Sequence, residues 1–217
     1  MSISPKRLRR RGVPGLSDYE KAFAELSVVS ARGWLDADAT MKQMMARFPT
    51  IAQYGFAIPC EEAIAAVAKL PQPIVEVGAG LAYWSHLVRD RYGVRIDAYE
   101  KNIPPTMPQG ARDEGPMTGY GFDREPWYPV MAGTEDSIAR KPYRTLLLIW
   151  PDLHSPMASR CLQKFRGDVL AYVGEVEGCT GDAAFHKELG RSWTLTEEVW
   201  IPQWFAIHDS LMIYTRK

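Results

Sequence analysis

The chain alternates between short apolar runs and segments whose apolar positions recur three or four residues apart. The short runs are rich in β-branched and aromatic residues and predict strands at 73–77, 94–99, 127–130, 145–150 and 169–173. The longer repeats predict helices at 61–70, 83–89, 157–165 and 183–189. Residues 145–150 form a continuous apolar run. This strand is therefore expected in the middle of a sheet that is covered on both faces.

The C-terminal part of the chain predicts two further strands, at 194–200 and 210–214. The loop between them, residues 201–209, is too short for a crossover helix, so the last strand is expected to run antiparallel. Strands that alternate with helices before this point require parallel pairing with right-handed crossovers. The sequence thus predicts an α/β fold, a Rossmann-like, doubly wound, mostly parallel seven-stranded sheet with an antiparallel last strand.

The N-terminal part divides into a basic head and a helical extension. Residues 1–16 are expected to be a disordered tail, because a dense run of like charges buries no apolar surface; contact with RNA or phosphate is the alternative. The charges of this head are Lys6, Arg7, Arg9, Arg10 and Arg11. Residues 17–70 predict a helical extension with a turn at Phe48-Pro49, and residues 71–217 form the main domain.

Composition narrows the classes of partner. Lys plus Arg and Asp plus Glu each total 26, so the whole molecule has no net field that would attract a polyanion. No apolar stretch of about 18 residues occurs and no signal-peptide pattern follows the arginines, which predicts a cytoplasmic protein without a membrane partner. The three cysteines and four histidines lack the spacing of metal ligands, so no metal is expected.

A glycine loop follows the strand at 73–77. Gly78 and Gly80 allow a sharp turn off the strand and the close approach of a ligand to the backbone. Glu76 precedes the loop, and Glu100 ends the next predicted strand, where a carboxylate can accept hydrogen bonds from both hydroxyls of an adenosine ribose. A dinucleotide is the rival ligand, but Tyr83 occupies the position of the third glycine that its fingerprint requires.

The residues around this loop carry a family resemblance. Glu76–Ala82 resembles the first motif of class I S-adenosylmethionine-dependent methyltransferases, and the element order is similar from about Pro59 to the C-terminus. More narrowly, the chain resembles a group of uncharacterised bacterial methyltransferase-like proteins through four segments, Phe56–Pro59, Leu81–Trp84, Trp150-Pro151 and Ile201–Trp204. The resemblance implies the fold and S-adenosylmethionine as cofactor, and it implies no particular substrate.

The resemblance also implies roles for individual residues. Gly78 and Gly80 would pass their backbone along the methionine part, Glu76 would position its ammonium group, and Glu100 would hold the ribose. An acid among Thr134, Glu135 and Asp136 would lie near the adenine amino group, and Asp136 is favoured. Ala82 departs from the family, which often has a third glycine there. The predicted cofactor-binding residues are Glu76, Gly78, Ala79, Gly80, Tyr83, Trp84, Glu100, Asp136 and Trp150.

The candidates for the transfer chemistry follow the fourth and fifth parallel strands, because ligand sites in such sheets form at the carboxyl ends of the strands. Asp152, His154 and Glu175 are the predicted catalytic residues, as groups that orient an acceptor or take its proton. Turn and helix-cap roles are the alternative for Asp152 and His154. The turn Trp150–Leu153 resembles the Asn/Asp-Pro-Pro-aromatic turn of amine-directed methyltransferases but keeps only the first proline. His208 is a weaker candidate.

Three functions remain open from the sequence. The leading hypothesis is a methyltransferase that acts on a small molecule, because the chain has no net charge and its strand edge is rich in aromatic residues. The second is methylation of RNA, which the basic head favours. The third is a non-catalytic S-adenosylmethionine-binding module, which the degraded target turn favours. The acceptor and the oligomeric state are not encoded in any pattern.

Overall fold

The computed structural model describes Tyr19 and residues 47–105, 122, 124–204 and 206–217. The strands are β1 Ile74–Val77, β2 Ile96–Glu100, β3 Val130–Ala132, β4 Thr145–Ile149, β5 Val169–Gly174, β6 Trp193–Trp200 and β7 Ser210–Arg216. The helices are α1 Glu61–Ala68, α2 Tyr83–Tyr92, α3 Met157–Lys164 and α4 Ala183–Ser192, with a 3-10 helix at Glu135–Arg140.

Seven strands of the described residues form one sheet in the order β3-β2-β1-β4-β5-β7-β6. The pairs from β3 to β5 are parallel, and β7 runs antiparallel to both β5 and β6. The predicted fold class is confirmed, including the antiparallel last strand and the central position of β4. The strand order reverses between β1 and β4, and this is the switch point where open α/β sheets bind ligands.

The two faces of the sheet bury separate apolar cores, which follow the alternation of side chains along the strands. Ile74 and Leu147 face the core formed with α1 and α2, whereas Val75, Leu146 and Leu148 face the core formed with α3 and α4. Tyr19 and residues of the segment 51–58 belong to the first core. The sheet is therefore covered by helices on both faces.

Local structure differs from the sequence prediction in two segments. Residues 47–54 are helical, so the turn expected at Phe48-Pro49 is wrong; burial of Ile51, Ala52 and Tyr54 against the first core outweighs the turn tendency of proline. The third strand begins at Val130 rather than at residue 127, because the Trp127 N–H donates to the Leu81 carbonyl instead of pairing in the sheet.

Some predictions lie outside the described residues. The basic head at 1–16, most of the helical extension between 17 and 46, and most of the loop at 102–129 belong to this group. Within the part of the chain that is described, every helix is too short or too polar to cross a membrane.

Candidate functional site

A cavity of about 710 Å³ opens at the switch point, at the carboxyl ends of β1, β2 and β4. The nine residues predicted to bind the cofactor all line it: Glu76, Gly78, Ala79, Gly80, Tyr83, Trp84, Glu100, Asp136 and Trp150. Its volume lies within the range of small-molecule sites, roughly 300–1,000 Å³. The structure thus brings together residues from four elements that are up to 74 positions apart in the sequence.

The glycine loop turns off β1 through left-handed backbone conformations. Gly78 has a φ of 74° and Gly80 a φ of 51°, which glycine adopts without steric cost. The N–H groups of Gly78 and Ala79 both donate to the Tyr99 carbonyl, 2.9 and 3.1 Å away, and so fix the loop to the end of β2. Ala82 also has a left-handed φ of 50°, which explains why related sequences often place glycine there.

Glu100 ends β2 directly beside this loop. Its Oε2 accepts a hydrogen bond from the Gly80 N–H at 3.0 Å, and its Oε1 accepts one from the Asn102 N–H at 3.1 Å. Each carboxylate oxygen can accept a second hydrogen bond. The carboxylate therefore holds the loop in place and keeps acceptor capacity for hydroxyl groups in the cavity.

Glu76 is a buried acid at the base of the cavity. Its side chain is 1% exposed, and the Ser85 hydroxyl at the start of α2 donates to its Oε2. Burial raises the pKa of Glu76 to about 8, the Ser85 hydrogen bond opposes this rise, and the nearby Glu100 adds to it. A buried acid with a raised pKa and without a cationic partner is the environment that a ligand ammonium group would relieve.

Tyr83 and Trp84 begin α2 and pack into the wall of the cavity. The Tyr83 ring contacts Tyr54 and Trp127, with ring centroids 5.1 and 5.2 Å apart. The Trp84 Nε1–H donates to the Ala57 carbonyl at 3.1 Å, so it ties α2 to the segment at 55–58. Both residues line the cavity, and their visible contacts hold its wall together.

The 3-10 helix brings acidic residues to the far side of the cavity. Asp136 is mostly exposed and forms an ion pair with Lys164, whose hydrogen bond holds the pKa of that carboxyl below its ordinary value. Glu135 pairs with Arg160 at 3.4 Å. The Asp136 backbone N–H accepts support from the Thr134 hydroxyl oxygen, 3.3 Å away, which caps the helix. The adenine role of Asp136 stays a prediction.

Trp150 stands where β4 leaves the sheet. Its φ is 50°, a conformation that a bulky residue rarely adopts, and its ring stacks on Phe56 with centroids 5.7 Å apart and planes 11° apart. The Phe122 ring meets Phe56 edge-on at 6.4 Å. Sequence reasoning named Phe56 only as part of a shared segment, and its role in the cavity comes from tertiary contacts.

Of the three predicted catalytic residues, Asp152 alone lines the cavity. Its Oδ1 accepts the His154 backbone N–H at 2.8 Å, which is a turn contact, and its side chain is otherwise exposed. His154 is exposed and is not part of the lining. Asp152 is therefore the residue of this group that the structure brings to the candidate site.

Glu175 belongs to a second, smaller cavity beside β5 and β7. It accepts hydrogen bonds from the Cys179 N–H and from the N–H and Nδ1 of His208, at 3.0 to 3.1 Å. Burial raises the pKa of Glu175, but the hydrogen bonds from Cys179 and His208 outweigh burial and lower it. A carboxylate with these donors stabilises the loop before β7 and is poorly placed to take a proton in the first cavity.

Asp209 is a buried acid that sequence reasoning did not assign to a site. His208 is exposed, whereas the neighbouring Asp209 is 1% exposed and points to the opposite side. Neither carboxylate oxygen of Asp209 has a hydrogen-bond partner within the described part of the chain. Burial raises its pKa to about 7. No sequence pattern signals such a group, because its burial depends on contacts between distant segments.

The sheet with its antiparallel β7 and the glycine loop at the switch point give the chain the Rossmann-like fold of class I S-adenosylmethionine-dependent methyltransferases. No family model matches the sequence, and no curated protein matches it significantly.

Three solved structures are among those with a similar fold. Magnesium protoporphyrin IX methyltransferase from Synechocystis PCC 6803, with bound S-adenosylmethionine, is 13% identical with a TM-score of 0.44, over 99% of this chain and 98% of that chain. MtNAS in complex with S-adenosylmethionine is 14% identical with a TM-score of 0.44, over 97% and 96%. Mitomycin 7-O-methyltransferase is 12% identical with a TM-score of 0.42, over 91% and 68%. Residue roles in this chain rest on its own geometry.

Proposed function

We propose that the protein is an S-adenosylmethionine-dependent methyltransferase that transfers the methyl group directly to a small-molecule acceptor. The observation that carries this proposal is the placement of two acids around the glycine loop. Glu76 is buried at its base, and Glu100 accepts the N–H of Gly80 at its far side. An ammonium group and a ribose are the two parts of the cofactor that need such acids.

The cavity fits the cofactor in its charge as well as its shape. Glu76 has the Ser85 hydroxyl as hydrogen-bond donor and no cation in contact, so a ligand ammonium group would complete its environment. Gly78 and Gly80 have no side chain between their backbone and a ligand. Glu100 retains acceptor sites for two hydroxyl groups. These residues would hold the methionine part and the ribose respectively.

Direct transfer needs little chemistry from the chain. When bound, the cofactor supplies a methyl group activated by a sulfonium sulfur, which keeps the carbon–sulfur electron pair as an acceptor lone pair bonds to the methyl carbon. The chain must align the acceptor and exclude water. Asp152 at the cavity edge is the group that would take the proton which an N–H or O–H acceptor loses.

Charge favours a small-molecule acceptor over RNA. Among the described lining residues, Lys101 and Arg160 are cationic, and Arg160 is paired with Glu135. The acidic lining residues are Glu76, Glu100, Glu135, Asp136 and Asp152. A cavity with this excess of carboxylates attracts the positively charged cofactor and repels phosphate groups. RNA methylation would require cationic side chains beside the acceptor.

The test is a transfer assay with methyl-labelled S-adenosylmethionine and a bacterial cell extract separated into small-molecule and RNA fractions. We expect label in the small-molecule fraction with an equal amount of S-adenosylhomocysteine, and a much lower rate for Glu100→Ala. Label in the RNA fraction alone would overturn the small-molecule assignment. Binding of S-adenosylhomocysteine without any turnover would instead identify a non-catalytic module.

A further inference from the structure

Two aromatic rings form a fixed surface at the transfer end of the cavity. Trp150 follows β4, which pairs with β1, so its ring lies at the sheet edge next to the glycine loop. The Phe56 ring stacks on Trp150 with nearly parallel planes, 11° apart. Phe122 closes the corner between them and the loop, since a methyl group at Gly80 would come 2.8 Å from its ring. The surface is called the aromatic wall below.

The backbone on both sides anchors the aromatic wall. The Trp150 N–H donates to the Val173 carbonyl at 2.8 Å, which holds the residue in its left-handed conformation. The Phe56 carbonyl accepts the Trp204 Nε1–H at 3.0 Å. A bulky residue kept at a positive φ by hydrogen bonds is a cost that surrounding structure must support, and such residues concentrate at ligand sites. Rings that are ordered before binding lose little entropy when a ligand arrives.

Charged groups are sparse at this end. Asp152 is the ionisable lining residue that follows Trp150 directly, whereas Lys101 and Arg160 come from the end of β2 and from α3. Arg160 is engaged with Glu135. An acceptor with a phosphate or carboxylate group would therefore meet a carboxylate and aromatic faces. A neutral or cationic planar molecule would stack on the rings and tolerate Asp152.

Resting on the methyltransferase function above, we propose that the acceptor is a planar aromatic small molecule, neutral or cationic, whose ring stacks on the aromatic wall formed by Phe56, Phe122 and Trp150. Offset stacking prefers ring centroids about 4.5–7 Å apart. The same preference gives aromatic ligands an advantage over saturated ligands of equal size and charge, by about 3- to 10-fold in affinity.

Three matched probes test this proposal on the full chain saturated with S-adenosylhomocysteine, which fills the cofactor site. Benzylamine and cyclohexylmethylamine carry the same charge and differ in aromaticity, and phenyl phosphate carries the opposite charge. Ligand-observed NMR titrations should give benzylamine the highest affinity, about 3- to 10-fold above cyclohexylmethylamine, with phenyl phosphate the weakest. Equal affinities for the two amines, or preference for phenyl phosphate, would overturn the proposal.

Variants locate the binding surface. Phe56→Leu and Trp150→Leu should each weaken benzylamine about 3- to 10-fold and leave cyclohexylmethylamine nearly unchanged, while melting temperature reports folding. Trp200→Leu is the control, because this ring is 76% exposed on β6 and lies outside the cavity. An equal loss in the control would refute the assignment of the wall. Failure of S-adenosylhomocysteine to bind would refute the proposed function itself, so the two failures are distinguishable.

Discussion

Glu76 and Glu100 flank the same loop but have different neighbours. Glu100 accepts backbone N–H groups from Gly80 and Asn102, so its carboxylate serves the protein as well as a ligand. Glu76 is buried with the Ser85 hydroxyl as donor, and burial raises its pKa to about 8. The first residue is expected to control affinity, whereas the second couples affinity to pH.

Glu100→Ala should weaken S-adenosylhomocysteine binding by roughly 10- to 100-fold, because hydrogen bonds to a charged acceptor contribute about 1.5–3 kcal/mol each. The loss of the Gly80 N–H partner should lower the free energy of unfolding by only about 1 kcal/mol. Calorimetric titration measures the first effect and thermal melting the second. Unchanged affinity in a folded variant would show that the ribose is not held at the end of β2.

Glu76→Gln should stabilise the protein without ligand at high pH. The raised pKa in the folded state favours the protonated acid, so the wild-type contribution is present below about pH 4.5 and is lost as the pH rises through about 8. The melting temperature of the variant should equal that of the wild type at pH 5 and exceed it at pH 9. A lower melting temperature for the variant at pH 9 would contradict the raised pKa.

The ligand side of the same residue is visible as proton release. At pH 7 a cofactor ammonium group should displace about one proton from Glu76, since the acid is mostly protonated at a pKa of about 8. Titration with S-adenosylhomocysteine in buffers of different ionisation enthalpy counts these protons. Wild type and Glu76→Gln should differ by close to this amount, and equal proton counts would mean that the ammonium group lies elsewhere.

At the scale of the elements, β2 is anchored to the segment before β4 by a buried charge. Asp97 is 6% exposed and accepts hydrogen bonds from Lys141 Nζ at 2.5 Å and the Tyr143 hydroxyl at 2.8 Å. Burial raises the pKa of Asp97, and the hydrogen bonds from Lys141 and Tyr143 outweigh that effect and lower it. This side chain stabilises the fold and points away from the cofactor role of Glu100, three positions later.

Asp97→Asn should lower the free energy of unfolding by about 1.5–3 kcal/mol at neutral pH, because the charged acceptor of two donors is lost. A lowered pKa in the folded state gives stability that is present above the ordinary value of 3.8 and disappears as the pH falls below it. The difference between wild type and variant should therefore shrink in acid. Denaturant unfolding at pH 7 and pH 3 tests this, and a constant difference would be inconsistent with the ion pair.

The sequence predicted the elements that depend on local pattern and missed those that depend on distant contacts. The glycine loop, Glu100 at the end of β2 and the central β4 follow from periodicity and glycine placement. The helix at 47–54 forms around burial against a remote core, and no local pattern encodes this. The pairing of Glu175 with His208 spans 33 positions for the same reason.

At the scale of the whole molecule, zero net charge conceals an uneven distribution. The five cations of the head lie within residues 6–11, whereas carboxylates dominate the lining of the cavity. The head is predicted to be a tail that the fold does not need. Cofactor binding should therefore depend on the acidic cavity and be insensitive to the basic head.

Deletion of residues 1–16 should leave both the melting temperature and the affinity for S-adenosylhomocysteine unchanged, since a solvated tail contributes no packed contacts. Thermal melting and calorimetry on the shortened chain measure both. A clear loss of cofactor affinity would show that the head takes part in the site. Loss of RNA association on deletion would favour the RNA hypothesis.

The central claim is that the glycine-loop cavity binds S-adenosylmethionine, and titration of the full chain with S-adenosylhomocysteine and with NAD⁺ tests it most directly. Tyr83 stands where a dinucleotide site needs its third glycine, and its ring is 2% exposed within the aromatic contacts of α2. The account predicts a dissociation constant of about 1–100 μM for S-adenosylhomocysteine, near −8 to −5 kcal/mol, and much weaker NAD⁺ binding. Tight binding of NAD⁺ with no binding of S-adenosylhomocysteine would contradict it.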